Sequence, residues 1–177
     1  GQTPLAVAVS LDSRDLVKVL LDCGATREVS GVPEEKLDSI TKSSGDSNDH
    51  PIPTKKTGVS KKNIRVAEDE KTSQLFDIVA NNQVEELDKI IQQGGFDPNV
   101  RANYTNETLL HTATTYGSFE CVKKLIQAGA DVNAQTALYQ ESPIHIAIQE
   151  GYFEIFYILI RNGADIESSN CEGIYKY

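Results

Sequence analysis

The two residues best suited to acid–base or metal chemistry are His111 and His145, because a neutral imidazole both carries protons near neutral pH and ligates metals. They stand 34 positions apart (145 − 111) at equivalent places in a duplicated stretch. Neither has a cysteine or carboxylate nearby at the spacing of a tetrahedral site. No nucleophile with its base, no phosphate-cradling loop and no working pair of carboxylates can be assembled beyond what the duplication already uses. Gly94-Gly95 reads as the end of a helix. The expectation is therefore a chain that is not an enzyme, with no metal and no cofactor. Cys23, Cys121 and Cys171 are an odd number and cannot all pair. Unpaired thiols fit a reducing compartment, so the cytoplasm or the nucleus is expected. The sequons beginning at Asn103 and Asn106 are read as chance matches.

The duplication itself sets the architecture. Residues 108–133, TLLHTATTYGSFECVKKLIQAGADVN, align without a gap to 142–167, SPIHIAIQEGYFEIFYILIRNGADIE, at an offset of 34 (142 − 108). A period of that size marks a solenoid whose unit is one supersecondary element, too small to bury its own apolar face. The shared positions are Thr108, Leu110, His111, Ala113, Gly117, Val122, Leu125, Ile126, Gly129, Ala130, Asp131 and Asn133, then Pro143, Ile144, His145, Ala147, Gly151, Ile155, Leu159, Ile160, Gly163, Ala164 and Asp165. They resemble the ankyrin repeat, GxTPLHxAAxxGHxxIVxxLLxxGADxN. The resemblance implies an all-α solenoid of helix-turn-helix units joined by β-hairpin-like loops. It implies that the two histidines bond neighbouring backbone, and that Asn133 resembles an asparagine hydroxylated in many such proteins.

Four units and the start of a fifth are expected. The first covers 1–26: Thr3-Pro4 opens a helix at the one place where a missing amide costs nothing. Leu5, Ala8 and Val9 form its apolar stripe, followed by Leu16, Val17, Leu20 and Leu21 on a second helix ended by Gly24. Ala6 stands at the histidine position and Asp12 at the inter-helix glycine. Residues 27–70 are rich in Ser, Lys and Asp and poor in large apolar residues, a composition that does not repay ordering, so a long disordered insertion is expected there. The second unit, 71–104, offers Leu75, Ile78 and Val79, then Leu87, Ile90 and Ile91. Units at 105–138 and 139–172 follow, and 173–177 begin a fifth, so the chain is expected to belong to a longer array. Insertions at hairpin edges leave the helices able to stack. The first unit is accordingly expected to pack on the second.

Net charge is −9 over 177 residues. An acidic surface disfavours nucleic acid and favours a basic protein or peptide. No apolar run approaches membrane-spanning length, so no membrane insertion is expected, and the piece is read as a monomer. Within the insertion, Lys55, Lys56, Lys61, Lys62 and Arg65 could serve as a nuclear-import signal, and Ser43, Ser44 and Ser47 as phosphorylation sites; a solvated, charge-balanced linker is the preferred reading of both.

In the repeat family, partners are read by loop tips and by the end of each first helix. Carried over by position, the tips are Tyr104, Thr105 and Glu107, then Leu138, Tyr139 and Glu141, then Cys171, Glu172 and Ile174. The helix ends are Ser10 and Leu11, Ala80 and Asn81, Thr115 and Tyr116, and Gln149 and Glu150. Tyrosines bury a large area while keeping a polar tip, so Tyr104, Tyr116 and Tyr139 among glutamates suggest a surface for a partner with basic and apolar side chains. The expected function is a scaffold or regulatory protein-binding module. The alternative is the recognition arm of a larger enzyme or channel.

Overall fold

The computed structural model describes residues 1–27, 34–42 and 70–171. Among these, the elements are all helices: α1 (Pro4–Ser10), α2 (Arg14–Asp22), α3 (Glu34–Lys42), α4 (Glu70–Ala80), α5 (Val84–Gln93), α6 (Leu109–Thr115), α7 (Phe119–Gln127), α8 (Pro143–Glu150) and α9 (Phe153–Arg161). Each unit is an antiparallel pair: α1 with α2, α4 with α5, α6 with α7, α8 with α9. No helix among the described residues is long and apolar enough to cross a membrane.

The turn inside each pair is built the same way four times. After the first helix the chain closes back on it by an amide-to-carbonyl bond: Ser13 to Ala8 (3.1 Å), Gln83 to Ile78 (2.9 Å), Ser118 to Ala113 (2.8 Å) and Tyr152 to Ala147 (2.8 Å). This closure needs one residue with positive φ. Gly117 and Gly151 supply it in two units, at +66° and +75°. Asp12 (+54°) and Asn82 (+53°) supply it in the other two, since short polar side chains tolerate this region better than most. A degenerate pattern thus yields an intact turn.

The pairs stack on a shared core. Leu5, Leu110 and Ile144 from the first helices, and Leu16, Val17, Leu20, Val122, Leu125, Ile155, Phe156 and Leu159 from the second, are buried. Cys121 takes the place of Leu16 and Ile155 and is fully buried with them. In the second unit Phe76, at the histidine position, carries the burial with Val79 and Leu87, while Leu75, Ile78, Ile90 and Ile91 remain half-buried.

The order of the stack is not the order of the chain. The face of α1 expected against the second unit packs on α8, so space runs α4/α5, α6/α7, α8/α9, α1/α2. Three sets of equivalent bonds place the first unit as the successor of the fourth. The Asp131 amide donates to Asn99 Oδ1 (2.7 Å) and the Asp165 amide to Asn133 Oδ1 (2.7 Å); one step on, the Thr26 amide donates to Glu167 Oε1 (2.7 Å). His111 Nε2 reaches the Glu141 carbonyl (3.0 Å), and His145 Nε2 reaches the Gln2 carbonyl (3.2 Å). Gln2 and Asn170 also exchange backbone bonds of 3.2 and 3.0 Å. A Cβ on Gly1 would overlap the Asn170 carbonyl, so the contact is close. The physical reason is generic: every unit offers the same edges, and the long connection removes the constraint that neighbours in sequence be neighbours in space.

A second correction concerns 27–70. The nonamer EEKLDSITK forms α3, which packs on α2 and buries Leu37 and Ile40. Spaced i, i+3, these two make one apolar stripe on α3. The basic cluster at 55–65 and Ser43, Ser44 and Ser47 lie outside the described residues.

Candidate functional site

The histidines are consumed by the fold. The Glu141 carbonyl can only accept, so His111 Nε2 must carry the proton, leaving Nδ1 to accept from the Thr108 amide at 3.1 Å. Thr108 Oγ1 lies 2.8 Å from the same nitrogen and caps α6. Ser142 and His145 repeat the arrangement on α8, with 3.3 and 2.8 Å contacts to Nδ1. Burial drives the His111 pKa down to about 4; the Arg101 charge acts the same way, and the Glu141 hydrogen bond opposes both. His111 is thus a neutral strut tying one tip to the next unit, and His145 makes the corresponding tie. Cys121, held among apolar side chains and near Asp88 and Glu120, has its thiol pushed up to about 11, mainly by burial.

The tips form a continuous edge. The Ala102 and Thr136 amides donate to the Glu107 and Glu141 carbonyls (2.8 and 3.0 Å), closing loops 103–106 and 137–140. Asn106 and Gln140, equivalent positions 34 apart (140 − 106), take positive φ of 57° and 51° and absorb the extra residue of each loop. Successive tips are then joined: Ala137 N–H to the Thr105 carbonyl (2.9 Å) and Cys171 N–H to the Tyr139 carbonyl (2.6 Å). Arg101 Nη1 bonds the carbonyls of Asn106 (3.2 Å) and Gln135 (3.3 Å), fastening one tip to the next.

On this frame Tyr104 is 71% exposed, Leu138, at its equivalent position, 61%, Tyr139 42% and Tyr116, at the end of a first helix, 41%. Leu11, at the Tyr116 position of its own unit, is exposed as well, and the spatial order sets it one step beyond Glu150 instead of beside Asn81. Several other expected contact residues are already engaged. Gln149 Nε2 donates to Glu141 Oε1 (3.0 Å), bringing a tip and a helix end together. Thr115 Oγ1 bonds the His111 carbonyl (3.0 Å), and Cys171 Sγ bonds Gln140 Oε1 (3.2 Å). Thr105 and Glu107 are half-buried, Glu150 is exposed, and Glu172 and Ile174 lie outside the described residues. Asn133 spends its carbonyl oxygen on Asp165 and its amide on Gly163 (3.0 Å).

Sequence reasoning passed over Phe153 and Tyr157, exposed at 40% and 47% one turn apart on α9. Their signal was present: FEIFYILIR is apolar on every face, and one side of such a helix must either find a neighbour or face water.

Comparison with known families gives two matches. Residues 75–170 match the family model described as ankyrin repeats in three copies, and residues 1–30 match that of a single ankyrin repeat. No curated protein matches the chain.

Proposed function

Because the chain belongs to the ankyrin-repeat family, whose repeats act as protein–protein interaction modules, we propose that this one is a non-catalytic scaffold or regulatory module that takes its partner on the tips and first-helix ends. The observation that carries the reading is the exposure of Tyr104, Tyr116, Leu138 and Tyr139 on a frame whose histidines and core leucines are wholly spent on stacking. Exposed aromatic side chains on a rigid support are the kind of groups from which binding hot spots are made. The acidic balance of the chain, −9, supports a partner that brings basic side chains among its apolar ones and disfavours nucleic acid. Three free thiols, one of them buried, support a reducing compartment, cytoplasm or nucleus.

The test is a peptide array probed with the intact chain and with Tyr104→Ala/Tyr139→Ala. The intact chain is expected to capture peptides combining Lys or Arg with Leu or aromatic residues. The double variant should lose about tenfold or more in affinity, as befits truncated interface anchors, with an unchanged melting temperature. Equal capture by both removes these tyrosines from the binding surface.

A further inference from the structure

We propose that the end unit α1 to α3 is exchangeable between molecules: the α8/α9 face it covers in its own chain can be covered instead by the α1 to α3 unit of a second copy. Three observations lead there. First, that unit is the only one out of chain order among the described residues, so no short hairpin ties it to the unit it packs on. Second, its docking is complete and one-sided. Gln2 engages Asn170 and His145, and Thr26 engages Glu167, in the register used between the other units, with Gly1 close against the Asn170 carbonyl. At the histidine position, where His111 of α6 and His145 of α8 reach forward to a successor, it carries Ala6. Third, the docking joins two apolar surfaces, with Leu5 and Val9 on one element and Ile144 and Ile148 on the other all at most 2% exposed. Neither surface is stable bare, so opening one molecule creates two surfaces that a second opened molecule satisfies reciprocally.

Chain length decides which arrangement wins. Helix pairs pack about 10 Å apart, so the route from the end unit back to α4 crosses three steps, roughly 30 Å. Residues 43–69 number 27 (69 − 43 + 1), and 27 residues reach roughly 90 Å when extended. Closure within one chain is therefore allowed, and a tether of this kind gives an effective concentration on the order of a millimolar. Below that concentration the closed monomer dominates. Once the tether is too short to span, only a second copy can supply the end unit.

The experiment is a deletion series in the 177-residue chain, with mass measured by light scattering after size exclusion and helicity checked by circular dichroism. Removing 43–51 leaves ample reach, and the monomer is expected to persist. Removing 43–65 leaves four residues, about 14 Å at most, and removing 43–69 leaves none; both are expected at twice the monomer mass or more. Adding Gln2→Pro, which deletes the amide donated to Asn170, should raise the dissociation constant of that dimer about tenfold. A series that stays monomeric throughout overturns the proposal, because a unit that stacks on α4/α5 in chain order gains nothing from a partner when the tether is removed. A dimer indifferent to Gln2→Pro overturns it equally. If the shortest variant does not fold, the intact chain taken into the millimolar range is the second readout. There a dimer that grows with concentration is expected, and a mass fixed at the monomer value contradicts the exchange.

Discussion

The two ends of the stack are finished differently. At one end α1 and α2 are well buried: Leu5 to Val9, Leu16, Val17 and Leu20 are buried, and α3 packs on α2 with Leu37 and Ile40 buried. At the other, α4 and α5 bury only Phe76, Val79 and Leu87, and leave Leu75, Ile78, Ile90 and Ile91 half-exposed. Both units depart from the family pattern at the histidine, one by Ala6 and one by Phe76. The difference teaches that pattern strength does not set burial in a solenoid; what packs against a unit does, because each unit borrows part of its core from its neighbours, and α3 adds one at the first end.

The largest test of that contrast is a pair of truncations. Leu20→Ala at the well-buried end should cost about 3 kcal/mol, as for a fully buried leucine, and Ile91→Ala at the open end about 1 kcal/mol. Denaturant unfolding reads both, and equal losses would erase the distinction between the ends.

Acid separates the middle from the ends. His111 has a folded pKa of about 4 against an ordinary 6.5, so the unfolded chain binds a proton more readily between those values. The stabilisation is present above pH 6.5 and is lost as pH falls toward 4, by about 2 to 3 kcal/mol. In His111→Asn the corresponding slope should flatten. Amide exchange should show acid loosening α6 before α1 or α4, whose units have no histidine at that place.

A smaller effect is expected at α3. Ile40→Asp puts a charge into its contact with α2 and should cost about 1 to 2 kcal/mol. Exchange should rise in α1 and α2 while α4 to α7 keep their protection; uniform loosening would mean that α3 is no local cover. The smallest concerns Lys124 and Asp88, paired at 2.8 Å between α7 and α5 but each about a third exposed. Lys124→Ala should change stability by less than about 0.5 kcal/mol.

Much of this was legible in the residues. The 34-residue period and the four helix pairs follow from positions that repeat, the role of the histidines from the resemblance to the family, and the exposed tyrosines follow because the repeat does not use them. What was hidden has identifiable causes. The composition of the whole stretch 27–70 masked the nine residues of α3, whose two apolar positions are diluted by Ser and Lys on either side. Phe76 was obscured because the family places a histidine there. The engagement of Gln149, Thr115 and Cys171 depends on distances that spacing does not contain. The stacking order was hidden most deeply, because identical edges make every succession of units chemically acceptable. Its traces, Ala6 without a histidine and Glu167 where earlier units carry Asn99 and Asn133, become meaningful only with the fold in hand.

The succession of units is what the account depends on, and one distance tests it. In a background with Cys23, Cys121 and Cys171 replaced by serine, nitroxides at Leu11 and Asn81 report by pulsed EPR on two helix ends that are three steps apart in this fold. Roughly 30 Å is predicted at micromolar protein. A separation of about 10 Å would put the first unit directly on the second, in chain order, and contradict the account.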